Sequence, residues 1–140
     1  MTTGTVGPTL DQRRAAHAWQ AIGHLKENQE KPRKAIQRAA KKLPMRILTA
    51  GLGHALLFVE SKKTAPCLLS ELSQWLLLEW HAKPEEKEKA DANHLLQAII
   101  DGNSDDLRRY MAETIAWLAW FNRFAEAEFG AIDETEDAEP

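Results

Sequence analysis

Apolar residues in this chain recur three and four positions apart almost everywhere, and they do not alternate with polar residues over any useful length. That spacing gathers side chains on one side of an α-helix, whereas a half-buried strand needs a period of two. Alanine and leucine dominate, and both favour helix. The expected fold class is therefore all-α, a compact bundle of about six helices in a single domain. A length of 140 residues with 44% hydrophobic content suits one core of ordinary size.

The punctuation sets the expected segments. Thr9 is placed to cap a first helix over residues 9–29, with Ala15, Ala18, Trp19, Ile22 and Leu25 as its buried stripe. Pro32 opens a second over residues 32–42, with Ile36, Ala39, Ala40 and Leu43 turned inward. Pro44 opens a third over residues 44–61, whose wide apolar face is Ile47, Leu48, Gly51, Leu52, Ala55, Phe58 and Val59. Gly51 and Gly53 each weaken a helix, so the pair suggests another backbone packed close by. A fourth helix spans residues 66–81. Its Leu77, Leu78 and Trp80 are more than one stripe can bury, so it is central or it meets a partner. A charged hinge at 83–90 precedes a short fifth helix over 91–100. The sixth opens at Asn103 or Ser104 and closes on Gly130, with rings on two faces. Residues 1–8 read as a flexible N-terminus, 9–130 as the helical domain, and 131–140 as a disordered acidic tail dispensable for folding.

Charge is split along the chain. Residues 1–63 hold 12 Lys and Arg against 4 Asp and Glu, a balance of +8, while residues 64–140 hold 6 against 17, a balance of −11. The net −3 thus hides a dipolar molecule. On the second helix Lys34, Arg38, Lys41 and Lys42 follow i, i+4, i+7, i+8 and share one side, opposite the apolar stripe. Arg46, Lys62, Lys63 and Arg123 extend that surface if folding brings them near. Concentrated cations on an otherwise acidic protein suit a polyanion, because neutralised phosphates release counterions. The plainer reading is a solvated helix face.

Chemistry-bearing motifs are missing. His17, His24, His54, His81 and His94 form no i, i+4 pair, and no His-Glu-x-x-His occurs. The single Cys67 has no disulfide or zinc partner and reads as a small core residue. Gly51-Leu52-Gly53 lacks the Lys-Ser/Thr of a phosphate loop. Asp105 and Asp106 suit a helix cap. No catalytic residue, metal or cofactor is expected. The absence of a long apolar run and of a signal-like N-terminus makes the cytoplasm the expected location.

Two segments carry a resemblance. The first opens Leu43-Pro44-Met45-Arg46-Ile47-Leu48-Thr49-Ala50-Gly51-Leu52 and runs through Phe58 to Ser61-Lys62. The second joins Glu113-Thr114-Ile115-Ala116-Trp117-Leu118 to Trp120-Phe121-Asn122-Arg123-Phe124-Ala125. An LP-x-x-I-x-x-x-GL helix start, a closing F-x-x-SK and a final aromatic helix with W-x-x-R-x-A resemble the small helical subunit of the type III-B CRISPR (Cmr) effector complex. The resemblance covers about residues 14–127. The family often has Asn where this chain has Ala50, and Lys where it has Asn122. The resemblance implies a non-catalytic subunit that stacks with copies of itself and with other subunits and presents basic surface to RNA backbone. It places Lys62 and Arg123 on basic family positions. The competing expectation is a structural adaptor whose basic face binds only acidic protein. Sequence-specific DNA reading is disfavoured, since no helix–turn–helix presents Arg, Asn or Gln at base-reading spacing.

Overall fold

The first helix, α1 (Leu10–Leu25), begins at a reciprocal cap. The Thr9 hydroxyl accepts from the Gln12 N–H at 3.1 Å, and the Gln12 side chain accepts from the Thr9 N–H at 2.8 Å. The computed structural model describes residues 7–63, 65–80 and 91–132. The expected hinge at 83–90, the end of the fourth helix at His81 and most of the acidic tail lie outside the described residues. After α1 come α2 (Glu30–Ala50), α3 (Leu52–Lys62), α4 (Pro66–Gln74, continued as a π-helical turn over Trp75–Trp80), α5 (Ala92–Asp101) and α6 (Ser104–Phe129). Among the described residues there is no strand, and the helices form one compact domain around a single apolar core.

α6 is the central rod. Trp117, Leu118 and Phe121 are buried on it, and α1 and α2 pack along its sides. Partners on α1 and α6 advance together: Arg14 with Glu113, His17 with Trp117, Trp19 with Phe124, Lys26 with Glu128. Those two helices therefore run the same way. α2 runs against them, with Arg33 over Phe129 and Ala40 at Asn122. The cap of α6 is the expected Asn103–Asp106 box, and Asp91 caps α5 by accepting from the His94 N–H.

The boundary between the second and third helices differs from expectation. α2 continues through Pro44 and stops only at Gly51. A proline inside a helix lacks the N–H that would bond the carbonyl four residues back. Here that carbonyl belongs to Ala40, and the Asn122 side-chain amide donates to it at 3.0 Å. The vacancy is filled from α6, so the helix survives. Asn122 is also the position where the chain departs from the related family.

Gly51 ends the helix with φ 92 and ψ 158, a region open essentially to glycine alone. Neither glycine marks a close approach. A side chain on Gly51 meets nothing within 4 Å, and one on Gly53 meets only Ile99 Cγ2 at 3.9 Å. Gly51→Ala is therefore expected to cost about 1–3 kcal/mol of backbone strain. Gly53→Ala, inside α3 with room for a methyl, is expected to be neutral or stabilising by up to about 1 kcal/mol. Urea unfolding of both variants checks the contrast, and equal losses would refute it.

The break at Gly51 resets the helical phase, and so changes which residues are inside. Ile47, Leu52, Ala55, Leu56 and Val59 are buried, but Leu48 is 65% exposed and Phe58 39%. Trp19, expected inside, is 48% exposed and packs edge-on against Phe124 with Lys26 near its ring. Leu107 and Cys67 are likewise exposed. The surplus of large residues on the fourth helix is absorbed by its last turn. A π turn bonds i to i+5 and rotates less per residue, which lets Trp75, Leu76 and Leu77 all point inward. Leu78 and Trp80 are half-buried against the core, and Trp80 packs edge-on against Tyr110.

Three indoles find polar partners beside the core. Trp75 Nε1 donates to Glu113 at 2.9 Å, Trp120 Nε1 to Asp11 at 3.0 Å and Trp117 Nε1 to His17 Nδ1 at 3.0 Å. An indole N–H only donates, so His17 Nδ1 carries no proton. Burial holds the His17 pKa below its ordinary 6.5, against the opposing pull of Glu71 and Glu79. Because the unfolded chain then binds the extra proton first, this contribution is complete above about pH 6.5 and is lost as pH falls. The exposed His24 works oppositely: its bond to Glu71 raises its pKa, so its contribution fades as pH rises. Replacing His17 by Gln should reduce the acid-side fall in melting temperature between about pH 7 and pH 5. An unchanged pH profile would show that His17 does not set it.

Candidate nucleic-acid interface

Because α2 is one continuous helix, Lys34, Arg38, Lys42 and Arg46 stand four residues apart in a single row. Each step advances about 6 Å, and the row spans roughly 18 Å. The sequence places Lys34, Arg38, Lys41 and Lys42 together but assigns Arg46 to a separate helix. The unbroken α2 joins Arg46 to the row and leaves Lys41 on the flank facing α6, where its ammonium meets Glu126 at 3.4 Å. Lys34 pairs with Glu30 at 2.9 Å and lowers the Glu30 pKa. Arg38 makes no ion pair or hydrogen bond among the described residues.

At its far end the row meets a ring. The Arg46 guanidinium lies 3.9 Å from the centroid of Phe58, and Lys62 Nζ lies 5.2 Å from the same ring. One aromatic side chain of α3 thus gathers two cations that carry no carboxylate partner among the described residues. Lys62 is in this way brought to the row, and Phe58 becomes part of the site rather than of the core. The signal was present in the sequence, since Phe58 and Lys62 are four apart on a helix. It was hidden by reading residues 44–61 as one helical phase. Lys63 turns back to Glu60 at 3.9 Å, and its backbone is left-handed at φ 58. Arg123 is exposed on α6 beside Asn122, and no contact joins it to α2 among the described residues.

Folding also neutralises part of the charge split. The acidic end of α6 meets cations of α1 and α2 through Glu128–Lys26 at 3.0 Å and Glu126–Lys41. What remains for a partner is the stripe from Lys34 to Arg46 with Lys62 at its end. Apolar side chains adjoin it on the same two helices: Met45, Leu48 and Leu57 are exposed. Among the described residues no group of three or more His, Cys, Asp and Glu is arranged to hold a metal ion, and no helix is long and apolar enough to cross a membrane. The arrangement suits electrostatic attachment of an extended polyanion. It offers no planar amide pairs aimed outward to read bases.

Comparison with known proteins agrees with this reading. A family described as CRISPR-associated protein (Cas_Cmr5) matches residues 10–128. Among solved structures, a CRISPR-associated Cmr5 family protein from Thermus thermophilus superposes with a TM-score of 0.70 at 26% identity, covering 86% of this chain and 97% of that one. No curated protein sequence matches the chain.

Proposed function

Because the chain belongs to the Cmr5 family of CRISPR-associated proteins, we propose that it is a non-catalytic small subunit of a type III-B RNA-guided effector complex, working in the cytoplasm. In this reading the α2 row lies along the backbone of guide or target RNA, and the subunit stacks with copies of itself and with the other subunits. One observation carries it: Lys34, Arg38, Lys42 and Arg46 share one edge of an uninterrupted helix, at a regular spacing that suits successive phosphates. Phosphate contacts fix a strand in place without reading its sequence. The residual dipole, basic on α2 and acidic elsewhere, suits head-to-tail stacking of copies.

Titrating fluorescent single-stranded RNAs of equal length and unrelated sequence tests this. Affinities should agree within a few-fold at low salt and fall with salt by about 0.7 in log–log slope per phosphate contact. Absence of binding at low salt, by the chain alone and within an assembled complex, would sink the RNA reading. The adaptor reading would then lead, with the α2 cations and the exposed Met45, Leu48 and Leu57 meeting an acidic, partly apolar protein surface.

A further inference from the structure

The end of α6 delivers the chain to the start of the cationic row. Arg33, one residue before Lys34, covers the ring of Phe129 at 4.5 Å from its centroid. Glu126 and Glu128, in the last turn before it, already reach Lys41 and Lys26. Gly130, with φ 93, then turns the backbone out of the helix. Residues 133–140 follow with five carboxylates, those of Asp133, Glu134, Glu136, Asp137 and Glu139, and no cation.

Eight extended residues reach about 26–29 Å, more than the roughly 18 Å from Lys34 to Arg46. The segment is therefore long enough to run the length of the row from where α6 releases it. A tethered partner also acts at an effective concentration near the millimolar range. We propose that the acidic segment 133–140 lies back along α2 and sets its carboxylates against Arg38 and its neighbours, so that RNA must displace it to use the row. Exposed ion pairs are individually weak and screened by salt. The contact is accordingly labile: a polyanion with many evenly placed phosphates displaces it, whereas a short or sparsely charged one does not. The docking is independent of any RNA, and only its consequence rests on the phosphate-binding reading.

The experiment compares the full chain with a variant of equal length carrying Asp133→Asn, Glu134→Gln, Glu136→Gln, Asp137→Asn and Glu139→Gln. Nitrogen-15 NMR at low salt should show signals of residues 34–46 moving on neutralisation, while those of Arg108 and Arg109 stay in place. The variant should bind single-stranded RNA about 3–10-fold more tightly at roughly 50 mM salt, and the difference should vanish near 0.5 M. A tighter RNA complex without changes confined to α2 would mean only general repulsion and would overturn the proposal. Changes at α2 with unaltered RNA affinity would overturn the competition. If neither protein binds RNA, the phosphate-binding reading fails, and the NMR comparison alone still decides whether the segment docks.

Discussion

Glu113→Ala is expected to lower the melting temperature by about 10–15 °C, from a loss of about 3–5 kcal/mol. Glu113 is only 5% exposed. Both its oxygens accept from Arg14, each at 2.6 Å, and one also accepts from the Trp75 indole. The Arg14 side chain is 13% exposed and has a second carboxylate, Asp11, at 2.6 Å. Asp11 in turn accepts from Trp120. The network therefore pins α1 and the π-helical turn to the middle of α6. Removing Glu113 strands a poorly solvated guanidinium and a buried indole N–H, and stranded groups cost far more than the intact pair contributes. Two further variants separate these causes. Glu113→Gln keeps an acceptor and should lose less. Arg14→Met combined with Glu113→Leu removes both charges and should recover much of the single-variant loss, because an apolar pair of similar size tolerates the site. If the double variant were as unstable as the sum of its parts, stranded charge would not be the reason.

How far the sequence reveals this fold follows the range of each interaction. Caps are local, and Thr9, Asp91 and Asn103 start helices where side-chain chemistry says they should. The start of α2 and the passage through Pro44 are not local. A proline usually marks a helix start, and only the amide of Asn122, 82 residues on from Ala40, lets α2 continue. That one bond moves the break to Gly51, turns Leu48 and Phe58 outward, and places Arg46 in line with Lys42. Four cations were legible from spacing, but the row was not, because it depends on which segments share a helical phase. The Arg14–Glu113 pair was equally hidden. Its members lie 99 residues apart, and in the sequence Glu113 counts only as negative charge near the rings. Family resemblance reached further than periodicity because its motifs carry long-range packing implicitly, and the match over residues 10–128 bears it out.

Replacing Arg38, Lys42 and Arg46 together by Glu should weaken RNA binding at low salt by at least about 100-fold and flatten the salt dependence by about 0.7 per lost contact, close to 2 in all. The row loses three of its four cations and gains three repulsive charges, so affinity falls by similar factors for unrelated RNA sequences. Stability should change modestly. The guanidinium over Phe58 contributes about 0.5–1 kcal/mol at a partly exposed site. New Glu side chains at 38 and 42 stand four residues from Lys34 or from one another, giving small effects of opposite sign. A net-charge control is needed, since any loss of six units of positive charge repels RNA. Arg108→Glu with Arg109→Glu, on exposed residues at the start of α6, supplies four such units away from the row. If position matters, the control loses only a few-fold in affinity and keeps most of its salt slope. Equal losses in the two variants would reduce the row to bulk charge. Full affinity in the triple variant, as free chain or within an assembled complex, would remove α2 as the RNA surface.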